Sequence, residues 1–341
     1  MTPPIHRSMG MELVRVTEAA ALACAPHMGR GDKTAADAAA TDAMRAVLAR
    51  VDMDGIVVIG EGEKDEAPQL YNGERVGTGK GPALDLAVDP LEGTRLLAGG
   101  RTNAVAVIAA APRGCLWDPG ASFYMDKLVV GAEARDAIDL GRTPTENLHR
   151  IADALGRPVH SLTVFVLDKP RHDGLIREIR AAGARVSLHT DGDVMGALLA
   201  VVPETGVDVL MGTGGTPEGV IAAVAVKAMG GGMEGRRDPQ LEDERRALAT
   251  SPAADEWGRV LSLDDLVAGE DAFFSATAVT DSPFLEGVRY DTRHSGVTTE
   301  SLTIRAGSGS VRYVRGIHQL DPEHIFGDRD PGDAVEAATS G

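Results

Sequence analysis

Residues 81–103, GPALDLAVDPLEGTRLLAGGRTN, decide how the rest of the chain is read. Leu84, Leu86 and Val88 alternate with Asp85, Ala87 and Asp89, the period-two pattern of a half-buried strand, which puts Asp85 and Asp89 on its other face. Pro90 has no amide hydrogen and is expected to stop the ladder. Glu92 follows, and Gly93-Thr94-Arg95 opens an apolar helical turn through Leu96, Leu97 and Ala98. Two carboxylates a few residues apart at a sharp turn suit a divalent cation that prefers oxygen ligands. The helix start beside them offers free amide hydrogens to an anion such as phosphate. In isolation the string reads better as an acidic turn with local Asx hydrogen bonds, and only its neighbours in sequence overturn that reading.

Upstream, Ile56-Val57-Val58-Ile59 is a continuous apolar strand, and Gly60 permits a tight exit into Glu61, Gly62, Glu63, Asp65 and Glu66. Acids this dense just past a buried strand repel one another unless solvent screens them or cations neutralise them. The strand end and the paired glycines favour cations. Two helices precede this strand. One runs over residues 11–28, with Leu13, Val16, Ala20 and Cys24 near helical spacing, and the other from about Thr34 to Arg50. Thr34-Ala35-Ala36-Asp37 resembles a capping box, so Asp37 either closes the helix start or projects from it as a metal ligand, and the two readings are even.

Downstream, 103–111 reads as a buried strand, Trp117–Val130 as a loop carrying Phe123, Tyr124 and Lys127, and 145–155 as a helix ending at Gly156. A lobe boundary is placed there. Residues 1–155 then form an N-terminal α+β lobe with most of the metal ligands, 156–327 an α/β lobe, and 328–341 an acidic tail that is expected to be disordered. In the second lobe strands at 162–167, 186–188 and 207–211 alternate with helices at 173–182, 194–202 and 217–229, the pattern of a layered α/β unit with mainly parallel strands. Functional residues gather at the carboxyl ends of such strands. Here those ends are Lys169-Pro170-Arg171-His172, Asp191-Gly192-Asp193, and the glycine run Gly212–Gly215 leading into Pro217 and Glu218. Each has a plainer reading, as a solvated basic turn, a helix cap, or a carboxylate favoured by a helix N-terminus. Residues 234–272 are charge-dense and read as a solvated helix with loops, and 299–305 and 311–317 as a strand pair turning at Gly307–Ser310.

Composition narrows the function classes. The 341 residues carry a net charge of -17, with 43% hydrophobic and 4% aromatic residues. Packing must therefore be aliphatic and close. So acidic a chain is a poor nucleic-acid or anionic-membrane binder. It would also repel a phosphorylated metabolite unless bound metal or a Lys/Arg cluster intervened locally. No apolar run approaches the roughly 20 residues of a membrane span. The N-terminus lacks the pattern of a signal peptide, and Cys24 and Cys115 suit a reducing compartment, so a cytoplasmic location is expected. GTGGTPEG lacks the third glycine of a dinucleotide fingerprint, GTGKGP lacks the features of a P-loop, and GxSxG, HExxH and CxxC are absent.

With IGEGEKDEAPQLYNGERVG, LAVDPLEGTR, KPRHD, TDGDV and GTGGTPEGV in that order, the chain resembles the class II fructose-1,6-bisphosphatases of bacteria, the GlpX-type family. The likeness runs from about Met11 to Leu320. DPxEGT alone would mark only the wider inositol monophosphatase-like superfamily. The departures are an N-terminal extension, a shortened region after Met233 and the acidic tail. The resemblance implies the layered α/β sugar-phosphatase fold, two lobes with the active site between them. It implies Mg²⁺ or Mn²⁺ held by Asp37, Glu61, Asp89, Glu92 and Glu218, with the Leu91 carbonyl as an added ligand. Substrate contacts carry over to Glu92, Gly93, Thr94, Tyr124, Lys169, Pro170, Arg171, Asp191, Gly192, Asp193 and Gly215. A homodimer or homotetramer is expected.

The implied reaction is hydrolysis of the 1-phosphate of fructose 1,6-bisphosphate. Thr94, with Glu61, is the choice to orient or deprotonate the attacking water. The Gly93 and Thr94 amides would hold phosphate oxygens, Lys169 and Arg171 the distal 6-phosphate, and Asp191 and Asp193 the sugar hydroxyls. The rival within enzymes is a phosphatase that acts on sedoheptulose 1,7-bisphosphate as well or instead. Inositol monophosphatase activity ranks lower, because Lys169 and Arg171 imply a second phosphate. A silent sugar-phosphate sensor ranks lowest, since every catalytic position is filled.

Overall fold

The computed structural model describes residues 5–62, 69–251, 256–291 and 296–319. The chain packs as two compact units. The first takes the chain up to Leu116 and again from Glu270, and the second is Trp117–Gly269. In chain order the first unit opens with α1 (Met9–Cys24), α2 (Lys33–Leu48), β1 (Asp54–Ile59), β2 (Arg75–Val76), β3 (Ala83–Glu92), α3 (Thr94–Ala98) and β4 (Val105–Pro112). The second unit contributes β5 (Tyr124–Val130), α4 (Pro144–Ala154), β6 (Thr163–Leu167), α5 (Asp173–Ala181), β7 (Arg185–His189), α6 (Asp193–Val201), β8 (Val209–Gly215), α7 (Thr216–Ala228), β9 (Gly232–Arg237), α8 (Glu242–Thr250), β10 (Leu261–Ser262) and α9 (Leu263–Leu266). The returning segment adds β11 (Phe273–Ala278), β12 (Arg289–Asp291), β13 (Gly296–Arg305) and β14 (Ser310–Gln319) to the first unit. Both units mix helices with sheet, so the molecule is α/β.

The first unit's sheet runs β12-β13-β11-β4-β3-β1-β2, with β14 also paired to β13. Only β1 and β3 are parallel. Leu84, Leu86 and Val88 enter one core with Ala106, Ile108 and Ala110 of β4 and Leu13, Val16, Ala20 and Cys24 of α1, as the alternation predicts. The opposite face is less wet than a half-buried strand implies. Asp85 is buried, accepts a hydrogen bond from the Gly114 amide at 2.6 Å and pairs with Arg113 at 3.2 Å. Pro90 does not end β3 either. The register moves from Asp89↔Val107 to Glu92↔Val105, three residues against two, and this bulge spares the ladder an amide that Pro90 cannot supply. The start of α2 also differs from expectation. Asp32 caps it by accepting from the Ala35 amide, so Asp37 is not needed as a cap.

Under α1, Thr299, Ser301 and Thr303 of β13 are all buried. The Thr17 hydroxyl lies 2.7 Å from that of Thr277, which lies 2.8 Å from Ser301. Ser275 donates to Thr303 at 2.9 Å, and Thr299 donates to Glu18 at 2.9 Å. Paired in this way, the hydroxyls avoid the cost of burying unsatisfied polar groups.

The second unit's sheet runs β10-β9-β5-β8-β6-β7. β6, β7 and β8 are parallel, whereas β5 and β9 are antiparallel to their neighbours, so the expected mainly parallel sheet is a mixed one. The difference traces to two strands read as loop or solvated rim. β5 carries Asp126 and Lys127, and β9 carries Glu234, Arg236 and Arg237; charges conceal the strand pattern in both. Because β5 is interior to this sheet, the expected boundary at 155–156 falls inside the second unit. Leu128, Val130, Leu148, Ile151, Val164, Val166 and Ile179 form its core. Among the described residues no helix is long and apolar enough to cross a membrane. The tail from residue 328 lies outside the described residues.

Candidate active site

In the first unit the bulge at the end of β3 determines what Asp89 and Glu92 can do. Their carboxylate oxygens lie within 4.8 Å of one another. Asp89 Oδ1 accepts from the Leu91 amide at 3.0 Å, which locks the intervening turn, and Glu92 is buried. Gly93 then takes the left-handed conformation, φ +84°, that lets the chain reverse into α3. α3 is only five residues long, so its aligned dipole is small and its exposed amides matter more. Asp37 sits half-buried in α2, where burial raises its carboxyl above the ordinary value of 3.8 and Lys33 opposes the rise. Glu61 follows β1, its amide bonded to the Leu70 carbonyl at 3.0 Å. Asp37 and Glu61 are not in the close group formed at Asp89 and Glu92. Glu63, Asp65 and Glu66 lie outside the described residues.

In the second unit topology gathers the expected substrate residues. Parallel β6, β7 and β8 deliver Lys169 and Arg171, Asp191 and Asp193, and Gly215 to one edge of the sheet. Antiparallel β5 starts at that same edge with Tyr124, paired to Gly215. The Arg171 guanidinium lies over the Tyr124 ring, 5.3 Å from its centroid, and donates through Nε and Nη2 to the Thr213 carbonyl at 3.0 and 2.8 Å. Gly192, at φ +97°, precedes Asp193, whose carboxylate binds the Lys127 ammonium; Lys127 also donates to the Gly215 carbonyl at 2.7 Å. A Cβ on Gly215 would meet the Glu218 carboxylate, so any side chain there would displace Glu218 from its place.

Glu218 opens α7, and its Oε2 is buried without a hydrogen-bond partner. Burial drives its carboxyl above the ordinary 4.5, Asp193 adds to the rise, and Lys127 opposes it. An orphaned buried carboxylate oxygen here, and two carboxylates held together in the first unit, fit the ligand chemistry of a hard divalent cation. All the donors are oxygens, which disfavours a zinc site of the His/Cys type.

Two residues to which the sequence assigned no role, Lys127 and His172, are central to this edge. Lys127 is 2% exposed. Its signal was available in the alternation Met125-Lys127-Val129, a lone cation on a buried stripe. His172, in the KPRHD motif, is also buried, and it binds the Leu167 carbonyl through Nδ1 at 2.7 Å and the Thr213 amide through Nε2 at 2.8 Å.

The profile of the family described as bacterial fructose-1,6-bisphosphatase, glpX-encoded, matches residues 7–318. The fructose-1,6-bisphosphatase 1 class 2 of Escherichia coli K12 is 45% identical over 328 residues, covering 93% of this chain and 97% of the relative. The class 2 fructose-1,6-bisphosphatases of Escherichia coli O6:H1 and Shigella flexneri match to the same extent. A match of this length and identity, over a chain whose DPLEGT turn and GTGGTPEG strand end have the local geometry just described, shows that the chain belongs to the GlpX-type family of bacterial fructose-1,6-bisphosphatases.

Proposed function

We propose that the chain hydrolyses the 1-phosphate of fructose 1,6-bisphosphate to give fructose 6-phosphate and phosphate. The observation that carries this reading is the near-complete match to class 2 fructose-1,6-bisphosphatases. The metal-binding set is Asp37, Glu61, Asp89, Glu92 and Glu218, with the Leu91 carbonyl, and the metal is Mg²⁺ or Mn²⁺. When bound, such ions neutralise phosphoryl charge and lower the pKa of a coordinated water. Thr94 orients the attacking water and, with Glu61, removes its proton. The Gly93 and Thr94 amides bind oxygens of the reacting phosphate. Lys169 and Arg171, with Pro170 stiffening the turn between them, grip the distal phosphate, Arg171 with its plane set by Tyr124. Asp191, Gly192 and Asp193 meet the sugar hydroxyls, and Gly215 leaves room for the ligand.

A cation-dependent site and a basic pair let an acidic chain bind a bisphosphate at all. The fructose names of the relatives favour the six-carbon sugar over sedoheptulose 1,7-bisphosphate. The two free thiols, Cys24 and Cys115, support action in the reducing cytoplasm. Assembly as a homodimer or homotetramer is proposed as well, and sedimentation velocity measures it. The decisive experiment incubates the protein with Mg²⁺ or Mn²⁺ and a panel of sugar mono- and bisphosphates, then assays free phosphate. Release from fructose 1,6-bisphosphate that is abolished by chelation is expected. Metal-independent release, or none from any bisphosphate, sinks the reading.

A further inference from the structure

We infer that His172 is a positioning residue for Arg171, acting through Thr213, whose N–H and carbonyl the two side chains bind. β6 ends at Leu167, and its pairing with β8 reaches only Val209 and Leu210. Beyond that point β8 stays paired to β5 but has no strand on its β6 side, and the Thr213 N–H faces that gap. His172 spans it. Nδ1 faces the Leu167 carbonyl, which can only accept, so Nδ1 carries the proton and Nε2 accepts the Thr213 N–H. The imidazole therefore continues the ladder between β6 and β8 where the backbone cannot. Gly212, at φ +115°, leaves space for the ring, since a Cβ there would meet Nε2 at 2.9 Å.

The opposite end of the same residue aims the arginine. With its N–H held by His172 and its hydroxyl donating to Asp238 Oδ2 at 2.5 Å, the Thr213 unit has little freedom left. Its carbonyl then receives Nε and Nη2 of Arg171. Tyr124 lies under the guanidinium, and three N–H bonds of Arg171 remain beyond those to Thr213 as a fork for phosphate oxygens. Thr213 is thus tied at three points, and a buried histidine beside an exposed arginine has a reason beyond filling the core. The consequence for the reaction rests on the reading that Arg171 binds the distal phosphate.

Two substitutions separate positioning from packing. His172→Asn places an amide near Nδ1, keeping the bond to Leu167 but leaving the Thr213 N–H unpaired. His172→Gln reaches the Nε2 position, where its carbonyl accepts that N–H. The first readout needs no substrate: hydrogen exchange at Arg171 Nε–H, followed by ¹⁵N NMR. The second compares KM for fructose 1,6-bisphosphate with KM for fructose 1-phosphate, which lacks the distal phosphate. For His172→Asn, exchange is expected to quicken about tenfold and KM for the bisphosphate to rise about tenfold, the scale of one buried unpaired amide. KM for fructose 1-phosphate and kcat stay unchanged, and His172→Gln restores both affected readouts. Unchanged exchange in His172→Asn overturns the inference, and so does an equal rise in KM for both substrates. If the wild type hydrolyses neither sugar phosphate, or does not distinguish them, the functional reading fails, while exchange at Arg171 still decides the brace. Should His172→Asn not fold, the wild type is acidified until Nε2 is protonated, which removes the acceptor for the Thr213 N–H. Exchange at Arg171 Nε–H must then quicken relative to Arg113 Nε–H, held by the Leu84 carbonyl, and an unchanged ratio is equally fatal.

Discussion

The acidic turn of the first unit and the sheet edge of the second hold charge in opposite ways. At the turn, a bulge and a left-handed glycine bring Asp89 and Glu92, two like charges, within 4.8 Å. At the edge, the cations are already spoken for by the protein: Lys127 by Asp193 and the Gly215 carbonyl, Arg171 by the Thr213 carbonyl. The turn gathers acidic oxygens of one sign, an arrangement that a cation completes. At the edge Lys127 and Arg171 are satisfied at rest, and Arg171 presents what is left over in a fixed direction. A metal subsite can tolerate electrostatic strain because binding relieves it. A subsite for a flexible anion gains more from order established beforehand.

The largest expected effect breaks the satisfied side of this contrast. Lys127→Met leaves the Asp193 carboxylate buried beside Glu218 without its counter-charge. Loss of about 3–5 kcal/mol of unfolding free energy in urea titration is expected, the usual cost of removing one partner of a buried pair. Adding Asp193→Leu should recover most of it, and a loss under about 1 kcal/mol would mean that the pair is not a buried charge pair. Next, Glu92→Gln tests the strained side. Phosphate release should fall on the order of a thousandfold, as for loss of several kcal/mol of metal-borne stabilisation. The melting temperature in chelator should hold or rise, because a like charge has gone; a fall would show that the pair is not repulsive at rest. Thr94→Ala is smaller, with turnover down about a hundredfold at unchanged KM if the hydroxyl acts in proton transfer. A raised KM with intact turnover would make Thr94 a binding group instead.

Acidification gives the smallest and most specific signal. Burial lowers the pKa of His172 from the ordinary 6.5, with Arg171 adding to the fall and the Leu167 carbonyl opposing it. The folded protein thus keeps His172 neutral while the unfolded chain takes up a proton. Its contribution to stability is full above 6.5 and is lost as pH falls from there through the lowered folded value. Urea midpoints measured down the pH scale should drop over that window, and less steeply in His172→Gln. Identical slopes would remove His172 as the titrating group.

How far the sequence carried depended on whether side-chain chemistry and secondary structure told the same story. Leu84, Leu86 and Val88 advertise both a strand and its buried face, and KPRHD, TDGDV and GTGGTPEGV fall, as read, just past β6, just past β7 and at the end of β8. Reading failed where polar residues are buried in pairs. Lys127 in β5 and the arginines of β9 look like solvent-facing charge. Nothing local marks Thr299, Ser301 and Thr303 as buried, because their partners, Glu18, Thr277 and Ser275, lie elsewhere in the chain. Pairing across such distances leaves no local periodicity to read. Pro90 misled for the converse reason: the rule against proline in a ladder is local, and a bulge suspends it.

The first unit is written in two instalments, with the whole second unit translated in between. β4, an apolar run of Val105–Pro112, bonds along one side to β11, which a ribosome does not reach until Trp117–Gly269 has been made. At about 5–20 residues per second, that interval is on the order of ten to thirty seconds. Throughout it the nascent strand edge stands open, sticky and without its mate, while the inserted unit has everything it needs to finish first. The order of residues along the chain therefore sets how long the β4 edge must wait for β11, the strand that covers it.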